Sequence, residues 1–424
     1  MTRRKRSMVT PDLNGQPADL VVGIPSYNEA DNIGFVVEQV ARGLEKYYPH
    51  LNTAIINADN ASQDGTKDAF LRAESGGIPK IYLSTPPGVE GKGNNFHNLF
   101  TYLSKYQPRV VVVVDADLRS IRPTWPRSLA EPILNGYEFV APLYSRNEYD
   151  GTITNHLCYP LIYALLGKNI RQPIAGDFAF SAKLMEHWRS QRWGRNVRQY
   201  GVDIFMTTQA ILGDFPLALV GLGSKVHNPS SPKLGKMFTQ VVDTLFDSLL
   251  KSKERWNKEL IEVETPPVYG RNASLPAPQQ LPIDYKDLKR QAVREFTPKQ
   301  SLILQIVPPE TGEKVQEMFR AHRFRLTSLM WMNLVYDFLV SYDRAPDRAG
   351  KLKIIKALKP LYLARVVSFI RETLELDHTK SEKTILRQAE VFRSHRHLLI
   401  QNLASKRQIA VSPSQSTSES LSIQ

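Results

Sequence analysis

Val110-Val-Val-Val-Val114 runs directly into Asp115-Ala-Asp117. Five consecutive β-branched residues predict a strand, because branched side chains sit well on a pleated surface and poorly in a helix. No polar residue alternates with them, so both faces of the strand must be covered. Strands of that kind belong to the middle of a parallel sheet with helices on each side. The two carboxylates then stand at the strand's carboxyl end, where open α/β sheets bind their ligands.

Upstream, the same unit repeats. Asp19-Leu-Val-Val-Gly-Ile24 is a short apolar run that ends at Pro25 and reads as a buried strand. After Ser26-Tyr-Asn-Glu29, residues Ile33, Val36, Val37, Val40 and Leu44 recur at helical spacing, with Asn28 as candidate cap and Asp31 in the first turn. Thr53–Asn57 predicts a second strand. The turn-rich Asp59–Thr66 leads into a helix ending near Ala73. Ile81–Ser84 predicts a third strand, and a helix from about Asn94 to Lys105 precedes the valines. Such strand–helix alternation predicts an α/β domain with a doubly wound, mainly parallel sheet.

Downstream, Leu217–Val220 is strand-like, and after about residue 235 the periodicity becomes helical. Met237, Val241, Leu245, Leu249 and Phe238, Val242, Phe246, Leu250 form two adjacent i+4 rows, one face of a long amphipathic helix. Residues 262–284 are Pro-rich and read as a linker or extended arm. Further helices are expected over 297–400, with apolar faces at Leu326, Leu329, Met330, Val335, Leu339 and at Ile355, Leu358, Leu361, Val366, Ile370. The chain thus divides into a basic tail (1–17), an α/β domain (18–235), an α-helical C-terminal domain (236–405) and a Ser-rich tail (406–424) expected to be disordered.

Composition bounds the function classes. The length, 424 residues, suits a large domain plus a second one. The single cysteine, Cys158, excludes an intramolecular disulfide and points to a reducing compartment. No apolar stretch follows the basic Arg3–Arg6, and the run Leu157–Leu166 is too short to span a bilayer. A cytoplasmic, soluble protein is expected. The net charge of +13 suits nucleic acid, an anionic membrane or a small anionic substrate, and equally a solvated basic surface. No nucleic-acid-binding signature is present, so no nucleic-acid partner is expected.

Four strand-end stretches carry candidate chemistry. Asp115 and Asp117 can turn toward one cation, and their oxygens suit Mg²⁺ or Mn²⁺, which would hold a diphosphate; alternatively they only form a turn. Pro25–Glu29 is a ligand loop or a plain helix start. Asp59 could accept hydrogen bonds from a base or ribose, or close an Asx turn. In Glu90-Gly-Lys-Gly93 the glycines permit close backbone approach, and Lys92 would meet a phosphate at a helix N-terminus. His227 gains weight only if the fold brings it to Asp115-Ala-Asp117.

These stretches, in this order, resemble the GT-A glycosyltransferases of family-2-like type, though Asn60-Ala61 stands where an acidic-glycine pair is usual. Gly91-Lys-Gly93, Asp115-Ala-Asp-Leu118, Tyr144-Ser-Arg146, Ile153-Thr154, Gln172-Pro-Ile-Ala-Gly176, Tyr200-Gly-Val-Asp203 and Lys225-Val-His227 are similar to mannosylglycerate synthases and glucosyl-3-phosphoglycerate synthases. The resemblance spans about residues 18–400. It implies a GT-A fold and a UDP- or GDP-hexose donor bound by Pro25, Tyr27, Glu29, Asp59, Lys92, Asp115, Gly176 and Asp177. It implies a divalent metal on Asp117 and His227, and a small anionic acceptor held by Arg146, Thr154 and Tyr200. Asp115, Asp203 and Arg146 would surround the reacting atoms, and transfer would retain anomeric configuration. Gly176-Asp177 replaces a Gly-Glu pair, which bears on the identity of the sugar. The helical region is a candidate homo-oligomer interface. A lipid-phosphate or glycan acceptor and a non-catalytic nucleotide-sugar sensor are the competing readings.

Overall fold

The computed structural model describes residues 18–228, 234–257, 261–269, 278 and 284–405; both expected tails lie outside them. Eight strands form one sheet: β1 (Leu20–Ser26), β2 (Thr53–Asp59), β3 (Lys80–Ser84), β4 (Val110–Val113), β5 (Phe139–Ser145), β6 (Phe178–Phe180), β7 (Leu217–Ser224) and β8 (Val268–Tyr269). Their order is β3-β2-β1-β4-β6-β5-β7-β8. All neighbours pair parallel except β6, which runs antiparallel between β4 and β5. The sheet is the doubly wound GT-A arrangement expected, followed by a helical region.

The valine run explains the layering. Val111 and Val113 point into one core with Phe96, Phe100 and Leu103. Val110, Val112 and Val114 point into a second core with Ile33, Val36, Val40 and Trp125. All five are fully buried. The helices Ile33–Tyr47 and Thr124–Leu134 carry residues of the second core. The first core takes the helix Lys92–Leu103 and continues into Phe238, Trp331 and Leu358. The helices after residue 234 therefore share a core with one face of the sheet. The helix Arg348–Thr373 is buried on all sides over much of its length. Leu329, expected on an apolar face, lies in the first turn of the helix Ser328–Arg344 and is exposed. No described helix is long and apolar enough to cross a membrane.

Two elements depart from the sequence expectation. β8 lies within the Pro-rich segment and pairs with β7, so part of the expected linker completes a sheet edge. Asn28 does not cap the first helix. It takes a left-handed conformation (φ 56°), which asparagine tolerates, and its amide donates to Ser62 Oγ at 2.8 Å. The helix starts at Ile33, with Asn32 at the cap position and no acidic residue in its first turn.

The topology sets the site. From β1 the chain winds outward through β2 and β3, then returns to β4 on the other side of β1. The β1/β4 crevice is the switch point where such sheets bind ligands. Because β6 runs backward, the residues before it, Gly176 and Asp177, reach the same edge as the ends of the parallel strands.

Candidate active site

Asp115 leaves β4 at that crevice with both oxygens engaged. Lys92, the first residue of the helix Lys92–Leu103, donates to Asp115 Oδ1 at 2.9 Å and to Asp203 Oδ2 at 3.1 Å. Lys225, just past β7, donates to Asp115 Oδ2 at 2.9 Å, Asp177 Oδ2 at 2.6 Å and the Ala175 carbonyl at 2.6 Å. Asp177 Oδ1 accepts the Asp115 amide at 2.9 Å, and its Oδ2 accepts Tyr144 Oη–H at 2.7 Å. The result is a chain of alternating charge, Asp203–Lys92–Asp115–Lys225–Asp177, joining three strand ends and two helices.

Burial penalises every charge in this chain, and the neighbours decide each outcome. For Asp115, burial alone would raise the pKa, but Lys225 and Lys92 outweigh it and hold the carboxyl far below its ordinary range. Asp177 goes the other way: burial raises it, Lys225 offsets this only in part, and the Asp115 charge adds to the rise. Burial likewise raises Asp203 against the pull of Lys92. Both lysines are lowered by burial but raised more strongly by their carboxylates, so they stay charged. Asp203 keeps one buried oxygen, Oδ1, with no hydrogen-bond partner among the described residues.

Asp117 points elsewhere. Its Oδ2 accepts the Asn228 amide at 3.1 Å. Arg119 N–H to Val226 O (2.9 Å) and Val226 N–H to Ser120 Oγ (2.9 Å) stitch the same two segments together. Asp115 and Asp117 do not converge in this structure: Lys92 and Lys225 take the two Asp115 oxygens. His227, one residue from the Asp117 contact, has Nε2 at 3.6 Å from Asp150 Oδ2 and 3.5 Å from Arg146 Nη2. Arg146 forks onto Asp150 (2.8 and 2.6 Å) and, against the effect of burial, holds that carboxyl well below its usual range. No group of three His, Cys, Asp or Glu side chains gathers as a metal cluster among the described residues. Asp117 and His227 alone offer one carboxylate and one imidazole on stitched segments, a donor set that suits a divalent ion whose shell is completed by a diphosphate.

Arg146 and Thr154 line a cavity of about 470 Å³, together with Gln172 and, from the helix His378–Ser394, His378, Thr379 and Glu382. Arg171 clamps that helix, donating to Glu382 Oε1 at 2.5 Å and Oε2 at 2.9 Å. The helical region thus supplies one wall. Tyr200, expected beside Arg146 and Thr154, is not in this lining. It packs against the first core, with its amide on Gln240 Oε1 at 3.2 Å. The reason is local: Gly91 and Gly93 press the start of the Lys92 helix onto the backbone of 197–198, which draws the 197–200 segment to the Lys92 side.

Residues 21–187 match the family model described as Glycosyl transferase family 2. The α/β part of the chain thus carries a glycosyltransferase domain. A search of curated proteins found no match. Among solved structures, the chain is similar to glucosyl-3-phosphoglycerate synthase from Mycobacterium tuberculosis in complex with Mn²⁺, UDP and glucosyl-3-phosphoglycerate. The identity is 25% over 55% of this chain and 80% of that one, with TM-score 0.44. The same enzyme with Mg²⁺ and UDP gives 25% identity, 55% and 79% coverage and TM-score 0.44. A mycobacterial protein gives 28% identity, 55% and 75% coverage and TM-score 0.46.

The remaining expected residues of this glycosyltransferase sit at the β1–β3 end. Pro25 is buried in β1 opposite Ala58, whereas Tyr27 is 46% exposed at the strand exit. The Glu29 amide donates to Thr66 Oγ1 at 2.9 Å, and its Oε2 accepts Asn32 Nδ2 at 2.9 Å. Asp59 is fully buried. It accepts Ser26 Oγ (2.7 Å), Ser62 Oγ (2.6 Å), Ser62 N (2.7 Å) and Tyr82 Oη (2.8 Å). Asp59 therefore ties three strand ends together. Gly176 has φ 89°, and a Cβ there would meet Asp115 Oδ2 at 2.3 Å. Lys225, Tyr144 and Asp150 were not singled out as site residues. Two of them lie within Lys225-Val-His227 and Tyr144-Ser-Arg146, but their partners are tens of residues away and only the fold reveals them.

Proposed function

We propose that this enzyme transfers a hexose, glucose or mannose, from a UDP or GDP donor to glycerate or 3-phosphoglycerate with retention of configuration. The observation that carries the reading is Lys92 held between Asp115 and Asp203 at the switch point. Lys92 is placed to exchange a carboxylate for the donor diphosphate at a helix N-terminus. The free Asp203 oxygen is a ready acceptor for a sugar hydroxyl. Arg146, at the cavity mouth, would trade Asp150 for the acceptor carboxylate, which a guanidinium grips with two parallel hydrogen bonds. Bound between Asp117 and His227, Mg²⁺ or Mn²⁺ would neutralise charge on the departing diphosphate. The acceptor hydroxyl forms the new C1–O bond on the face from which the diphosphate leaves, and its proton passes to the leaving diphosphate oxygen. The protein then has to orient and shield the reactants, with no covalent sugar intermediate.

The test is nucleoside diphosphate release by purified protein with each metal, crossing UDP-glucose, GDP-glucose and GDP-mannose with D-glycerate and 3-phosphoglycerate. Acceptor-dependent release in one pairing is expected. Metal-dependent hydrolysis indifferent to acceptor would discard the glycerate assignment. Absence of both release and donor binding would overturn the proposal. Asp117→Ala should also abolish the Mn²⁺ dependence of donor binding in an equilibrium titration, a readout separate from turnover.

A further inference from the structure

A second concave site lies on the helical region, and none of its residues belongs to the strand-end site. Lys286, Lys289, Arg290, Val293 and Arg294 of the helix Tyr285–Phe296, with His322, line a cavity of about 420 Å³. The spacing of 286, 289, 290 and 294 puts four cations on one helical face. The histidine comes from the turn after the helix Pro309–Arg320. Among the described residues, no carboxylate lines the cavity. Asp287 reaches Arg290 only at 3.5 Å, and Glu295 is already held by Lys299 and by Lys359 (2.6 Å).

Such a face is unfavourable by itself. Like charges at i,i+3 and i,i+4 repel, and Lys286 sits in the first turn, where the helix dipole disfavours a cation. His322 adds to this. Its φ is 51°, at a helix-end turn where glycine is the usual residue, with Arg323 N–H on Met318 O at 3.0 Å. A concave surface of one sign concentrates counter-charge, and several cations within one small hollow match an anion with several charges.

We propose that this hollow binds a small molecule carrying phosphate groups, at a site separate from the donor and acceptor sites. The hollow is open to solvent, with Lys286, Arg290, Arg294 and His322 exposed, and its volume of about 420 Å³ and convergent cations suit a compact polyanion. The experiment is titration of the full chain with inorganic pyrophosphate, in EDTA at ordinary salt, comparing the parent with Lys289→Gln/Arg294→Gln. The parent is expected to bind, and the double variant to lose about ten-fold or more in affinity for the two charge-assisted contacts removed, while its sugar-transfer rate is unchanged. Equal binding by both forms would place the anion elsewhere and overturn the proposal. Absence of binding by the parent would reduce the hollow to a solvated basic face. Sedimentation with phosphatidylserine vesicles that the double variant loses, without pyrophosphate binding, would replace the small ligand with a membrane surface. A Lys289→Arg/Arg294→Lys variant, which keeps both charges, should bind pyrophosphate nearly as the parent does; loss there would show that the hollow does not act through its charge.

Discussion

Lys225 has three acceptors and a side chain only 3% exposed. Removing its charge leaves Asp115 and Asp177 facing each other, with Asp177 wholly buried. Breaking a buried ion pair in this way costs about 3–5 kcal/mol. Lys225→Met should lose that much in denaturant unfolding, and most of its turnover as well. A loss under 1 kcal/mol, roughly the value of an exposed pair, would mean the cluster is solvated. Gly176 offers a sharper contrast. Alanine there meets both an unfavourable φ and the Asp115 carboxylate, whereas Gly136, at φ 95°, has nothing within 4 Å of its would-be Cβ. Both substitutions cost about 1–2 kcal/mol of backbone strain, but only Gly176→Ala should also depress kcat. Equal activity in the two variants would show that the Gly176–Asp115 contact is immaterial. The same residues show how far sequence reached. Lys92 and Asp115 could be picked out because each stands at an element's end beside glycine or turn residues, whereas Asp203 was reached only through the family resemblance. Lys225 could not, since a lysine after a strand looks like any solvated lysine until Asp115, 110 positions away, is folded against it.

At the level of elements, the strands that read clearly were those with several apolar residues and a turn at the exit. β4 is the extreme, and its burial on both faces follows from its composition alone. β5, β6 and β8 escaped: Pro142 interrupts the apolar run of β5, and three residues and two residues carry no periodicity in the others. The helices read well as helices, but their burial did not. The helix Ser328–Arg344 illustrates this, since it buries residues around much of its circumference and leaves Asp337 half-buried among them. Burial pushes the Asp337 carboxyl up to about 7. Its folded pKa thus exceeds the unfolded value of about 4, so the native state binds this proton more tightly. The stabilising contribution is complete below about pH 4, declines as pH rises and is gone above about pH 7. Asp337→Asn should therefore be close to neutral at pH 4, and more stable than the parent by about 1–3 kcal/mol at pH 8. Denaturant melts at the two pH values check this. An Asn variant with the same offset at both would mean that the carboxyl is ionised throughout.

For the whole molecule, the question is whether the α/β part and the helical part are separable, as the change of periodicity near residue 235 suggests. The packing argues against it. One apolar cluster takes in Val111 and Phe100 from the sheet side and Phe246, Trp331 and Leu358 from the later helices. Trp331 Nε1–H donates to the buried His156 carbonyl at 2.7 Å. Asp243, only 2% exposed, accepts Asn196 Nδ2 (2.7 Å) and Tyr342 Oη (2.8 Å) and pairs with Arg348. The cavity that Arg146 enters is closed by Glu382, so the helices build a wall of the candidate site as well as its support. Neither part can bury its apolar surface without the other, and cooperative unfolding follows from such sharing. Calorimetry should show one transition, with van't Hoff and calorimetric enthalpies in agreement. Trp331→Ala should lower that single transition, by about 3–5 kcal/mol in stability, without splitting it. A chain ended at Trp256 should fail to give a sharp melt, because the part of the first core around Phe238 and Phe246 would lose the later helices that cover it. Two resolved transitions, or a folded truncated form, would mean instead that the boundary near 235 is a true division and that the helical wall of the cavity can move independently of the strand ends.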